Sequence, residues 1–137
     1  MIQLTKYTIP LLIMPIKIIF CCPAQKGETI YIVGSHKNLG EWKTQNSLQL
    51  KGRPIATATV LIQTTDYLEF KAYKLVNSTY LWEFPGEEYN RRIPTTKSHK
   101  IVVEFQFNKK ETIVKVISSS RKERSAPVNQ YSPQKNC

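Results

Sequence analysis

Two tryptophans, Trp42 and Trp82, are the residues of this sequence best suited to chemistry at a surface. Trp42 follows Gly40-Glu41 in a stretch with loop composition, and Trp82 closes an apolar run before Glu83 and a Pro85-Gly86 turn. A tryptophan taken alone is more often a core residue. Loop and strand-end residues, however, lie at the rim of a domain, where side chains meet ligands. An exposed indole is a flat apolar plate that covers the C–H face of a sugar ring without stripping water from the equatorial hydroxyls at its edge. Two indoles tilted toward each other match the curved face of an α-1,4-glucan, whereas a straight β-1,4 chain suits a flat row. Lys71 and Asn90, on neighbouring segments, are the candidate partners for the hydroxyls.

Other chemistries lack their residues. There is no phosphate loop, no dinucleotide fingerprint and no Cys-x-x-Cys pair, and His36 and His99 are not spaced as metal ligands. No metal and no cofactor are expected. Glu83, Glu87 and Glu88 could supply the two carboxyls that a glycosidase holds about 5–10 Å apart. A domain this small has little room for the deep cleft that must accompany them, and three acids near one loop read as solvated charge. The chain is therefore read as a binding module and not as an enzyme.

The formal net charge is +10 over 137 residues, a balance that draws anionic partners. No basic helix or dense Lys/Arg cluster accompanies it, and the one compact run, Arg121-Lys122-Glu123-Arg124, sits in a polar tail. No nucleic-acid partner is expected. A polyanion- or protein-interaction module using the basic surface stands as the alternative. Cys21, Cys22 and Cys137 make an odd count without framework spacing. Neighbours in a strand point to opposite faces, so Cys21 and Cys22 are not expected to share a bond or a ligand. Reduced thiols and a cytoplasmic location are the simplest account. Cys137 is not placed for prenylation. Residues Ile9 to Cys22 are apolar but broken by Pro10, Pro15 and Lys17, too short for a spanning helix. They also make a poor signal peptide, since cleavage near Ala24 would remove a strand. The sequon Asn77-Ser78-Thr79 matters only in a secreted chain.

The elements that must position the tryptophans are strands. Aromatic and β-branched residues are plentiful, Gly and Pro punctuate them, and no long stretch has a helical period. Strands are predicted at Ile16–Cys22, Thr29–Val33, Ser47–Lys51, Ala56–Ile62, Tyr67–Leu75, Thr79–Phe84, Lys100–Phe107 and Glu111–Ile117. In the fifth, Leu68, Phe70 and Ala72 share one face. The last two form a hairpin with Val103, Phe105 and Phe107 inward. Residues 85–96 read as loop. The expected fold is an all-β, immunoglobulin-like antiparallel β-sandwich of about seven or eight strands. Residues 1–15 are expected to be an extended lead-in, 16–118 the domain and 119–137 a disordered basic tail.

With these residues in order, a resemblance emerges. Ile30-Tyr31-Ile32-Val33-Gly34-Ser35 with Leu39-Gly40-Glu41-Trp42 resembles the opening signature of the starch-binding domain, carbohydrate-binding module family twenty. Leu68-Glu69-Phe70-Lys71 is similar to that family's aromatic-Lys strand, and Trp82-Glu83 followed by Asn90-Arg91 to its Trp-Glu and Asn-Arg segment. The resemblance spans roughly Ile16 to Ile117. It implies a β-sandwich with two glucan sites that binds starch, glycogen or maltooligosaccharide without catalysis, in a targeting or adaptor role, with an enzyme of glucan metabolism as partner. It assigns the first site to Trp42, Lys71, Trp82 and Asn90, with Glu83 as a lesser contact. For the second site it implies a Trp where this sequence has Ala56 and a Tyr where it has Lys26, so that site is expected to be absent or weak.

Overall fold

The computed structural model describes residues 15–64, 67–94 and 99–117. The expected lead-in, apart from Pro15, and the expected tail lie outside the described residues. Nine strands are present among them: β1 (Ile16–Pro23), β2 (Glu28–Gly34), β3 (Leu48–Leu50), β4 (Ile55–Ile62), β5 (Leu68–Val76), β6 (Thr79–Trp82), β7 (Arg91–Ile93), β8 (Lys100–Gln106) and β9 (Lys109–Val116). They form two sheets, one in the order β4-β1-β8-β9, the other β3-β2-β5-β6 with β7 also pairing to β5.

Alternation decides which side chains meet between the sheets. Ile18, Phe20 and Cys22 of β1 face Ile30 and Ile32 of β2 and Leu68, Phe70 and Ala72 of β5, with Val103 and Phe105 of β8 beside them. Phe70 stands at the centre, edge-on to Phe20 at 5.1 Å and to Phe105 at 5.3 Å. These contacts make the two sheets one sandwich, as the periodicity of β5 and β8 predicts.

Three features depart from the sequence reading. β1 pairs with β8 in parallel, so the sandwich is not wholly antiparallel; the chain crosses between sheets before it returns beside its first strand. β7 lies inside the stretch read as loop. Its three residues are too few for a periodic signal, and pairing with Leu68, Glu69 and Phe70 creates it. Cys21 is disulfide-bonded, which overturns the expectation of reduced thiols for that residue. Its neighbour Cys22 lies on the opposite face, as expected. The Cys22 thiol is free and buried, and burial, with the Glu83 carboxylate adding to it, pushes its pKa up to about 12. A thiol held protonated in this way is a poor nucleophile.

Candidate functional site

The loop that carries Trp42 begins where β2 meets β5. A Cβ on Gly34 would run into the Glu69 carbonyl oxygen and come within 3.1 Å of the Phe70 Cβ, so only glycine lets the two backbones approach here. The chain then makes a short 3-10 turn, Lys37–Leu39, capped by the His36 Nδ1, which accepts from Asn38 N at 3.0 Å. Leu39 is fully buried and pins the loop to the core. Gly40 (φ +89°) turns the chain back, and a Cβ there would sit 2.7 Å from the Asn46 carbonyl oxygen. Glu41 and Trp42 follow with φ of +49° and +62°, a region that costs an ordinary residue about 1–2 kcal/mol. The Trp42 amide donates to the Gly34 carbonyl at 3.0 Å, which hooks the indole's backbone onto the end of β2.

The far end of this loop lies over the outer side of β5. The Tyr73 hydroxyl donates to the Thr44 carbonyl at 3.4 Å and shares a hydrogen bond with Ser47 Oγ. The Tyr73 ring stacks on Tyr31 of β2, 5.0 Å between centroids and 10° between planes. On its other flank stands Trp82 of β6, directly opposite in the ladder, at 4.8 Å and 46°. Tyr73 thus touches the indole on one side with its ring and ties down the Trp42 loop with its hydroxyl. Its own ring is nearly buried, while Trp42 and Trp82 are 42% and 41% exposed.

Lys71 lies between these two indole-bearing segments in the strand register. It pairs with Val33 of β2 on one side. On the other it faces the gap between β6, whose last residue Trp82 pairs with Tyr73, and β7, whose first residue Arg91 pairs with Phe70. The loop across that gap passes close, and the Lys71 ammonium donates to the Glu87 carbonyl at 3.3 Å. An ammonium carries three donors, so capacity remains for a ligand. Asn90 is exposed on the last residue of the same loop, its amide donating to Glu69 Oε1 at 3.4 Å. Lys71 thus stands on β5, Trp82 and Asn90 touch the β5 residues Tyr73 and Glu69, and Trp42 hangs from the end of β2, the strand paired with β5.

The fifth does not join them. Glu83 is fully buried, so the expectation that it is a lesser sugar contact is corrected. Trp82 points outward from the sheet and its neighbour points in. Glu83 accepts from Ala72 N at 2.9 Å and from Arg91 Nε at 3.0 Å on one oxygen, and from Arg91 Nη2 at 2.8 Å on the other. Arg91, also fully buried, donates further to the carbonyls of Gln106, Lys109 and Glu111 and to Thr112 Oγ1. One bidentate pair thus clamps the end of β6, the start of β7 and the β8–β9 turn. The sequence analysis quotes Arg91 only within the Asn90-Arg91 segment and assigns it no role. Alternation from Trp82 could have turned Glu83 inward, but nothing local separates Arg91 from the exposed Arg92 beside it.

The matching of Ala56 to the second site's tryptophan also needs correction. Ala56 is 1% exposed and belongs to the core. It is therefore not the outward position that a stacking tryptophan would occupy. Its neighbour Ile55, 40% exposed, holds that orientation, and Lys26 is exposed. Among the described residues no group of three or more His, Cys, Asp or Glu side chains could hold a metal ion, and no helix is long and apolar enough to cross a membrane.

Comparison with known proteins adds an independent line. A family model described as "Starch binding domain" matches residues 15–104. A thermophilic beta-amylase from Thermoanaerobacterium thermosulfurigenes is 29% identical over 84 residues, covering 58% of this chain and 15% of the amylase. In fold, the chain is similar to a family 15 glucoamylase from Hypocrea jecorina, with a TM-score of 0.57 at 20% identity over 70% of this chain and 18% of that one. It is equally similar to a Hormoconis resinae glucoamylase, with a TM-score of 0.57 at 17% identity over 69% of this chain and 17% of that one. The chain spans less than a fifth of each of these relatives.

Proposed function

Since the chain belongs to the starch-binding domain family, and so carries a carbohydrate-binding domain of the β-sandwich type, we propose that it binds α-1,4-glucan on the outer side of β5. In this reading Trp42 and Trp82 stack on the C–H faces of neighbouring glucose units. Lys71 and Asn90 donate to the hydroxyls at the ring edges. No bond is made or broken, and the domain holds a starch- or glycogen-type polymer. The relatives that share the domain are an amylase and glucoamylases, and the role that follows is to keep an enzyme of glucan metabolism on its polymer. Whether that enzyme is joined to this domain or recruited by it, the domain acts as targeting device or adaptor.

The observation that carries the proposal is that both indoles are about two-fifths exposed while their backbones are fixed to opposite flanks of one strand. A side chain of that size, left in water yet held in place, is arranged for a flat apolar ligand. Titration with maltoheptaose, followed by tryptophan fluorescence, tests it directly. Wild-type protein is expected to respond and saturate. Trp42→Ala and Trp82→Ala are each expected to weaken binding roughly tenfold or more, about 1.4 kcal/mol. Retention on a glycogen gel should hardly change with added salt, because stacking on a neutral sugar has no charge to screen. A wild-type protein whose fluorescence ignores the oligosaccharide defeats the reading.

A further inference from the structure

Tyr80 stands on the outer face of β6, opposite Leu75 in the ladder. It is 61% exposed, more than either tryptophan. Its ring meets that of Tyr73 edge-on, 5.8 Å between centroids and 64° between planes, and Trp82 leans on the same Tyr73 ring from its own position. Tyr80 and Trp82 are two residues apart on β6, so their side chains leave the same side of the strand about 7 Å apart. Both line one groove, together with Lys71, Pro85 and Glu87. An aromatic ring gains most from burial, and this one is held at its edge with most of its surface in water.

Building on the proposed glucan site, we infer that Tyr80 is a further stacking residue that lengthens the platform along β6. It takes a glucose unit beyond those on the two indoles and makes the domain selective for longer α-1,4-glucans. Its phenolic oxygen adds a donor and acceptor for a ring-edge hydroxyl. Tyr73 supports both rings from below, so the spacing between Trp82 and Tyr80 is set before any ligand arrives.

The test is a chain-length series. Affinities for linear maltooligosaccharides from maltose to maltoheptaose are measured for the wild-type chain, Tyr80→Ala and Tyr80→Phe. Tyr80→Ala is expected to match wild type on the shortest sugars and to lose roughly threefold to tenfold on the longest. Tyr80→Phe, which keeps the ring, should lose far less. Equal affinities for wild type and Tyr80→Ala at every length overturn the inference and leave the glucan site standing. A uniform loss at all lengths also overturns it, since that pattern means Tyr80 acts only by propping Trp82. A wild-type chain that binds no sugar of any length brings down the glucan site and this inference together.

Discussion

The outer face of the β3-β2-β5-β6 sheet presents Tyr31, Lys71, Tyr73, Tyr80 and Trp82, whereas that of the β4-β1-β8-β9 sheet presents Lys17, Ile19, Ile55, Thr57, Thr59, Leu61 and Lys115. Both faces arise from the same alternation, and both back onto the same core. One is a set of rings in mutual contact. The other is aliphatic and polar, with an exposed Lys115–Glu104 pair at 3.1 Å of the kind that adds little stability. The comparison teaches that an outward strand position does not make a binding face. Rings that stay in water need something that fixes them, and the aromatic face has three such devices. They are the Tyr73 ring between Tyr31 and Trp82, the Tyr73 hydroxyl under the Trp42 loop, and the buried Glu83–Arg91 pair directly behind Trp82.

Breaking the pair behind the aromatic face should have the largest effect. Arg91→Ala leaves the Glu83 carboxylate buried without its partner and three backbone carbonyls without their donor. The expected loss is about 3–5 kcal/mol, read as a fall in the thermal midpoint of more than roughly 10 °C. A melting curve that overlays wild type would mean the pair is not what holds this face together.

The plainer sheet allows a sharper test of the same idea. Ala56→Trp forces an indole into a filled core and should cost about 1–3 kcal/mol in urea unfolding. Ile55→Trp, one residue earlier on the outward side, should change stability by no more than about 0.5 kcal/mol. If the two substitutions are tolerated alike, the inward placement of Ala56 is wrong. A smaller effect than that of Ala56→Trp is expected from Tyr73→Phe. It keeps the ring contacts with Tyr31 and Trp82 and removes only the hydroxyl that reaches Thr44 and Ser47, for about 0.5–1.5 kcal/mol. Near-UV circular dichroism should then report a loosened Trp42 loop with the far-UV spectrum unchanged, and an unchanged near-UV spectrum would show that the hydroxyl does not secure it.

By itself the sequence determined most of the sheet structure, because strand alternation is a local property written residue by residue. Leu68, Phe70 and Ala72 declare the inward side of β5, and Val103 and Phe105 that of β8. Gly34 and Gly40 mark the loop that presents Trp42. Tertiary structure alone decided the parallel pairing of β1 with β8 and the existence of β7, since ladder partners lie far apart in the chain and three residues carry no period. It also decided that Glu83 and Arg91 are buried while Trp82 and Arg92, their neighbours, are not. Burying a charge is tolerable only where its partner and its hydrogen bonds are already in place. Those partners come from β5, β7 and the β8–β9 turn, which only the folded chain brings together.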